Sequence, residues 1–255
     1  MITLKSPREI EHIRQSGRLA AATLQHIAPW VKAGVSTEEL NHECHKFITQ
    51  HGAIPSPLNY HGFPKSICTS LNNVICHGIP SPQQILKDGD ILNIDVTVFY
   101  EGFHGDTNKT FLIGKVDPKV KQLVQVTYDA MWAGIRAVKP QAHLNDIALA
   151  IEQVVRPYKY GIVEDYCGHG IGRNFHEDPQ VVHAPQRRPG PKLLPGMVFT
   201  IEPMINLGSP ATKVLADEWT VITTDHQPSA QFEHTLVVTK DGFEVLTLLE
   251  NGQEP

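Results

Sequence analysis

No apolar run in the 255-residue chain approaches the roughly 20 residues of a membrane-spanning helix. No charged leader followed by an apolar segment opens it either, since residues 1–9 read Met-Ile-Thr-Leu-Lys-Ser-Pro-Arg-Glu. Nothing marks the chain for export, and a cytoplasmic protein without a membrane partner is the expectation. Cysteine is scarce. Cys44, Cys68, Cys76 and Cys167 sit far apart with no Cys-x-x-Cys pair, which fits reduced thiols better than a disulfide framework or a thiolate zinc site. Positive charge is also in deficit, with 22 Lys and Arg against 27 Asp and Glu and a net charge of -5. No global basic field draws the chain to nucleic acid. What it does have is 41% apolar residues, ample for a packed core.

The local signals alternate between helix and strand. Ser6-Pro7-Arg8-Glu9 has the form of a capping box with proline at the first helical position, and Ile10, Ile13, Leu24 and Ile27 follow at helical spacing up to Pro29. Ser36-Thr37-Glu38-Glu39 opens a second helix with Leu40, Cys44, Phe47 and Ile48 on one face and Gly52 as its stop. A loop rich in proline, glycine and aromatics then leads to strand-like segments around Ser66 to Thr69 and Val74 to Cys76. Helices are expected again from Asp117-Pro118 to Val138 and from about Leu144 to Val155. Strands are expected around Val163 to Tyr166, Met197 to Met204, Thr220 to Thr223 and His234 to Thr239.

The stretch from Asn93 to Phe111 carries the chemistry. Its first half alternates β-branched and aromatic residues, and Glu101-Gly102 supplies a turn, so it reads as a β-hairpin. If Tyr100 pairs with Phe103, Asp95 lies opposite Asn108 with Asp106 as its diagonal neighbour, roughly 7 Å or less away on the same face. Two carboxylates so close, flanked by Ile94, Val96 and Val98, are costly unless a cation neutralises them or one takes up a proton. Two aspartates on a solvated hairpin face are the ordinary alternative for an isolated pair. The rest of the chain weighs against it.

Helix, helix, strands and hairpin occur twice. Val138-Lys139-Pro140 stands 107 residues after Val31-Lys32-Ala33, and the run Gly196 to Glu202 stands 107 after Gly89 to Asp95. His77-Gly78-Ile79 returns as His169-Gly170-Ile171 at a shift of 92, as unequal loops would give. Two related halves, approximately residues 1–116 and 117–255 of a single domain, would pack about a pseudo-twofold axis. Asp95 and Glu202 are then counterparts, and Glu202 with Glu233 repeats Asp95 with Asp106. The candidate metal ligands are Asp95, Asp106, His169, Glu202 and Glu233. Four carboxylates and one imidazole can hold two divalent cations, with Asp106 and Glu233 bridging, and oxygen-rich ligation favours manganese, iron(II) or cobalt over a structural zinc. Such a pair activates a water as nucleophile, which is hydrolase chemistry.

These motifs resemble the methionine aminopeptidases of the short, type I class. The resemblance rests on His77-Gly78-Ile79-Pro80, Asp95 through Asp106, Gly168-His169-Gly170-Ile171-Gly172, Phe175-His176-Glu177-Asp178-Pro179, Gly196 through Ile205 and Gln231 through Thr235, and it covers nearly the whole chain. It implies the α+β pita-bread fold, two pseudo-twofold-related halves with an antiparallel sheet covered by helices. The implied activity is removal of the initiator methionine from nascent chains whose second residue is small. By position, the five ligands match the family's dinuclear metal site, His77 and His176 match histidines that contact the substrate, and Glu202 matches the proton shuttle. His176 would polarise the scissile carbonyl. The methionine pocket would be lined by Tyr60, Phe63, Cys68, His77, Phe175, His176 and Trp219, while Asn72, Val74 and Ser229 match a monovalent-cation site of bacterial relatives. Family membership also implies a monomer.

Some features depart from the family or admit a plainer reading. Position 57 is proline where many bacterial relatives have cysteine at the pocket rim. The segment from Gly208 to Asp225 has Lys213 as its one base against Asp217, Glu218 and Asp225, so docking on the ribosome through that loop gains little support. His61 could line the pocket mouth or cap a turn. Arg187-Arg188 with Lys192, in a proline-rich segment, reads as a solvated loop. The rival enzymes within the fold are X-Pro aminopeptidases and prolidases, which typically carry a further N-terminal domain ahead of the point where Ser6 starts the first helix here. Non-catalytic pita-bread binding modules form a rival of another class. They have usually lost metal ligands, whereas all five candidates are present in this chain.

Overall fold

The computed structural model describes residues 1–255. Four helices form, where their caps require them. Helix α1 (Pro7–Ile27) and helix α2 (Thr37–Gln50) each begin on a complete capping box, Ser6 with Glu9 and Ser36 with Glu39. Helix α3 (Pro118–Arg136) starts where the Lys119 amide donates to Asp117 Oδ1 at 2.8 Å, and helix α4 (Leu144–Val155) follows. Helix α3 ends two residues short of the expected Val138, because Lys139 precedes Pro140 and is biased away from helical geometry. No helix is long and apolar enough to cross a membrane.

Nine strands make one antiparallel sheet whose main path runs Ile54–Pro55, Ile91–Tyr100, Phe103–Leu112, Glu233–Val238, Val198–Ile201, Gly168–Gly170, Glu177–Val181. Cys68–Leu71 and Phe243–Val245 pair beside it. The first half's hairpin meets the second half's strands between Phe103–Leu112 and Glu233–Val238, so the join of the two halves runs through the middle of the sheet. This is the two-halved α+β arrangement expected from the repeat.

The hairpin has the expected register, Tyr100 with Phe103 and Asp95 with Asn108. Its turn places both Glu101 (φ 50°) and Gly102 (φ 84°) in the left-handed region, as a two-residue hairpin connection demands. Alternation then sorts the side chains. Leu92, Ile94, Val96 and Val98 pack on Leu24 and Ile27 of α1 and Leu40, Cys44 and Ile48 of α2, each fully buried aliphatic contributing about 1.5–3 kcal/mol. Asn93, Asp95 and Thr97 are left on the opposite face. In the second half, Phe199, Ile201 and Leu236 pack on α3 and α4 through Ala130, Ile135, Ile147 and Ile151.

Two strand expectations need correction. The strand sought at Val163 to Tyr166 lies at Gly161–Ile162, which pairs with Asn206 and Ile205. Tyr166 instead turns toward the central cavity. The run Met197 to Met204 is two strands, Val198–Ile201 and Met204–Asn206, interrupted at Glu202-Pro203 because proline has no N–H for the ladder. A separate three-stranded sheet joins Thr212–Val214 and Val221–Thr223 to Val74–Cys76. It carries Trp219 of the second half against His77 of the first.

Candidate metal centre

Sheet register alone gathers the acidic residues. Asp95 stands opposite Asn108, and Asn108 stands opposite Glu233 on its other side. Ile201 pairs with His234, so the next residue, Glu202, falls beside Glu233. Asp106 pairs with Thr97, two residues along from Asn108 and on the same face. His169 arrives on the short strand Gly168–Gly170. A Cβ at Gly168 would stand 2.5 Å from the Thr200 carbonyl oxygen, and one at Gly170 would stand 2.1 Å from that of Asp178. The glycines let the imidazole's strand sit this close between its neighbours.

Three of the four carboxylates are held by hydrogen bonds, while Asp95 Oδ1 and Glu233 Oε1 are left bare. Thr97 Oγ1 donates to Asp106 Oδ1 at 2.6 Å, Asn108 Nδ2 to Glu233 Oε2 at 2.8 Å, and Thr200 Oγ1 to Glu202 Oε1 at 2.6 Å. Gln231 Nε2 donates to Glu202 Oε2 at 3.1 Å. His169 Nδ1 donates to the Gly170 carbonyl at 3.0 Å, leaving the Nε2 lone pair facing Asp106 Oδ2 at 3.6 Å and Glu202 Oε1 at 3.7 Å. Ligand atoms of Asp106, His169 and Glu233 lie within 4.8 Å of one another. Asp95 and Glu202 stand outside that tight group but line the same cavity.

The electrostatics of this cluster call for a cation. Burial, then the charges of Asp106 and Glu202, push the Asp95 carboxyl well above the usual range; burial and the Asp106 charge do the same to Glu233. Burial pushes Glu202 up to about 7 against the opposing pull of His169. For His169 burial works against charging, yet Asp106 and Glu202 outweigh it and the pKa is raised. Asp95 Oδ1 and Glu233 Oε1 are buried with no hydrogen-bond partner, a cost of about 1–3 kcal/mol each, and more for a charged group. Divalent cations fit what is present. The donors are anionic oxygens and one imidazole nitrogen whose other ring nitrogen is already fixed.

Tyr60, Phe63, Cys68, His77, Phe175, His176 and Trp219 line the same cavity of about 260 Å³ as the five acidic and imidazole groups. Phe63 meets Trp219 edge-on at 5.2 Å between centroids, and Tyr60 lies 4.9 Å from Phe175. Pro57 sits in the wall, as the rim position implied. The His176 ring is 4.2 Å from that of His169, and its Nδ1 is 2.8 Å from Tyr60 Oη. Burial lowers His77 to about 4 and His176 to about 3, so both are neutral imidazoles at pH 7. His77 has φ 56°, left-handed for a non-glycine residue, and its ring centroid lies 6.2 Å from that of Trp219. Burial also pushes the Cys68 and Cys76 thiols well above their usual range, consistent with inert buried thiols.

Sequence reading missed several supports. Thr97, Tyr166, Cys167, Met204 and Gln231 also line the cavity. His183, fully buried, accepts the Glu202 amide on Nε2 at 3.0 Å. Asp217 accepts from the Trp219 and Thr220 amides at 3.0 and 2.8 Å and so sets the loop that delivers the indole. No local pattern announces these, because each acts through a partner distant in sequence or through a turn. His61 is exposed on the short turn Tyr60–Gly62, is not among the residues lining the cavity and makes no capping hydrogen bond. Asn72 and Ser229 do lie side by side, the Ser229 amide donating to the Asn72 carbonyl at 2.9 Å, with Val74 two residues on.

Comparison with known proteins gives four findings. The model of metallopeptidase family M24 matches residues 11–240. A methionine aminopeptidase A of Synechocystis sp. is 52% identical over 249 residues, covering 98% of each chain. The crystal structure of methionine aminopeptidase from Rickettsia prowazekii superposes with a TM-score of 0.95 at 52% identity, over 97% of this chain and all of that one. An Xaa-Pro dipeptidase from Bacillus anthracis shares the fold with a TM-score of 0.74, but at 23% identity and over only 61% of its own length.

Proposed function

The chain belongs to metallopeptidase family M24, and from that premise we infer that it is a methionine aminopeptidase, hydrolysing the bond after an N-terminal methionine when the second residue is small. The observation that carries the site assignment is the convergence of five ligand-type side chains, two neutral imidazoles and an aromatic slot on one cavity. Asp95, Asp106, His169, Glu202 and Glu233 would hold two divalent cations, with manganese, iron(II) or cobalt suited to the donor set. Bound there, such cations supply Lewis acidity and bring the pKa of a water down toward 7.

The remaining steps fall to the protein. The slot formed by Phe63, Trp219, Tyr60 and Phe175 takes the thioether side chain, aromatic faces and the Cys68 sulfur being good neighbours for a polarisable sulfur. His176 polarises the scissile carbonyl. If Tyr60 Oη donates to Nδ1, the ring's one proton is on Nε2, free to donate to the carbonyl oxygen as negative charge develops. Glu202, pinned through Thr200 and Gln231, is placed to take the nucleophile's proton and pass it to the leaving amine. His77 closes the pocket against the bound methionine. Asn72, Val74 and Ser229 form a monovalent-cation loop that stiffens the strand leading to His77, and the chain acts as a monomer on free or nascent polypeptide N-termini.

The test is methionine release by metal-stripped protein titrated with manganese, iron(II) or cobalt. Met-Ala-Ser should be cleaved in a metal-dependent way, while Met-Leu-Ser and an Ala-Pro peptide are not. Cleavage of the Ala-Pro peptide in place of Met-Ala-Ser would overturn the assignment.

A further inference from the structure

A second depression adjoins the catalytic cavity, and His176 lines both. It is a polar trench of about 420 Å³ bounded by Lys5, Glu9, Arg173, Asn174, Glu177 and Asp178, with the chain's own first residues along its rim. The catalytic cavity, at about 260 Å³, lies below the roughly 300–1,000 Å³ of pockets that enclose a drug-sized ligand. His176, the residue set at the scissile carbonyl, is common to both, so a polypeptide whose methionine fills the aromatic slot has the trench beside its scissile bond.

Charge in the trench is unevenly satisfied. Lys5 Nζ bonds Glu177 Oε2 at 2.5 Å with both side chains largely buried, so that pair is neutralised floor. Asp178 is paired with the chain's own terminal amine. Arg173 is different. Its side chain is 65% exposed, its guanidinium lies over the Phe103 ring at 4.5 Å, and its one ion partner, Glu9, stands at 3.7 Å, beyond hydrogen-bond reach. Stacking on Phe103 holds this cation in place without spending its charge.

We propose that this trench receives the third to fifth residues of the substrate polypeptide and that Arg173 gives it a preference for acidic over basic side chains there. The proposal rests on the aminopeptidase reading and extends it to residues beyond the scissile bond. Three extended residues span about 10 Å, and His176 and Arg173 line one and the same trench. Trench contacts are made equally before and during bond cleavage, so they act on KM more than on kcat.

Manganese-loaded enzyme is assayed at low ionic strength on Met-Ala-Ser, Met-Ala-Ser-Ser-Ser, Met-Ala-Asp-Asp-Ser and Met-Ala-Lys-Lys-Ser. The pentapeptide Met-Ala-Ser-Ser-Ser should show a lower KM than the tripeptide. The Asp peptide should exceed the Lys peptide in kcat/KM by a factor of about two to five, the range of an exposed ion pair, and the ratio should shrink in 0.5 M salt as screening predicts. In Arg173→Glu the order of the two charged peptides should invert. Equal kcat/KM for both in the parent enzyme, or an acidic preference that persists in Arg173→Glu, overturns the proposal while leaving Met-Ala-Ser cleavage intact. No turnover of Met-Ala-Ser by the parent enzyme removes the proposal together with the reading beneath it.

Discussion

Replacing Asp95 by asparagine separates two things a carboxylate does in this cavity, and the expected effects have opposite sign. Without metal, Asp95, Asp106, Glu202 and Glu233 share one buried region; burial and mutual repulsion hold Asp95 and Glu233 well above the usual carboxylate range and Glu202 at about 7. Each pKa unit corresponds to about 1.4 kcal/mol of disfavoured ionisation. At pH 8, where the unfolded chain carries these groups ionised and burial resists that state, the cluster therefore destabilises the metal-free fold. The amide removes one carboxyl that resists ionisation, and its NH2 can donate toward Asp106. Metal-free Asp95→Asn should then be more stable than the parent at pH 8 by about 1–3 kcal/mol, or roughly 2–4 °C in Tm per kcal/mol for a chain of this size. Because the raised groups bind more protons folded than unfolded, their contribution is favourable below the ordinary carboxylate range and is lost as the pH rises above it, through about 7 for Glu202. The gap between variant and parent should accordingly narrow from pH 8 to pH 5. Manganese reverses the ranking. At a hundredfold excess over Kd the parent gains about 2.7 kcal/mol, whereas the variant, missing a ligand, gains less. Thermal melts in chelator and in manganese, at pH 5 and 8, read all of this. A variant less stable than the parent in chelator at pH 8, or one with an undiminished manganese shift, would refute the reasoning.

His176→Ala should lower kcat by about 2.7–4 kcal/mol of transition-state stabilisation with little change in KM if the ring donates to the developing oxyanion; steady-state kinetics on Met-Ala-Ser decides it, and a pure KM effect removes that role. Gly170→Ala forces a Cβ to 2.1 Å from the Asp178 carbonyl oxygen, so the strand must shift at a cost of about 1–3 kcal/mol, and calorimetric titration should show weakened manganese binding because His169 moves with it. His183 is held neutral by burial, its pKa lowered to about 3 from an ordinary 6.5, so the stability it confers is full above pH 6.5 and lost as the pH falls toward 3. His183→Gln should flatten the dependence of unfolding free energy on pH in that window by up to about 1.4 kcal/mol per pH unit, measured by urea titration; an unchanged slope would contradict a buried neutral imidazole.

The parts of this architecture that are legible in sequence are those whose determinants are adjacent in the chain. Ser6 with Glu9 and Ser36 with Glu39 announce two helix starts, and Glu101-Gly102 fixes a hairpin whose register places Asp95 and Asp106 on one face. The second half hides the same motif. Glu202 and Glu233 belong to strands that pair as neighbours, Ile201 with His234, but the chain between them runs out through Met204–Asn206, Thr212–Val214 and Val221–Thr223 before returning. No local periodicity can report a pairing that an excursion of this length closes. What made it recoverable is duplication. Once Gly196 to Glu202 is seen to repeat Gly89 to Asp95, the visible hairpin supplies the register of the invisible one, and four carboxylates are driven to the join of the halves. The excursion is also where duplication stops helping. Trp219 has no counterpart position to copy from; it reaches His77 only because Val221 pairs with Cys76 across the halves and Asp217 ties the turn before it. The metal centre is thus written twice in the chain, and the hairpin copy makes the other readable, while the wall that recognises the side chain is written once, in contacts that exist only after folding.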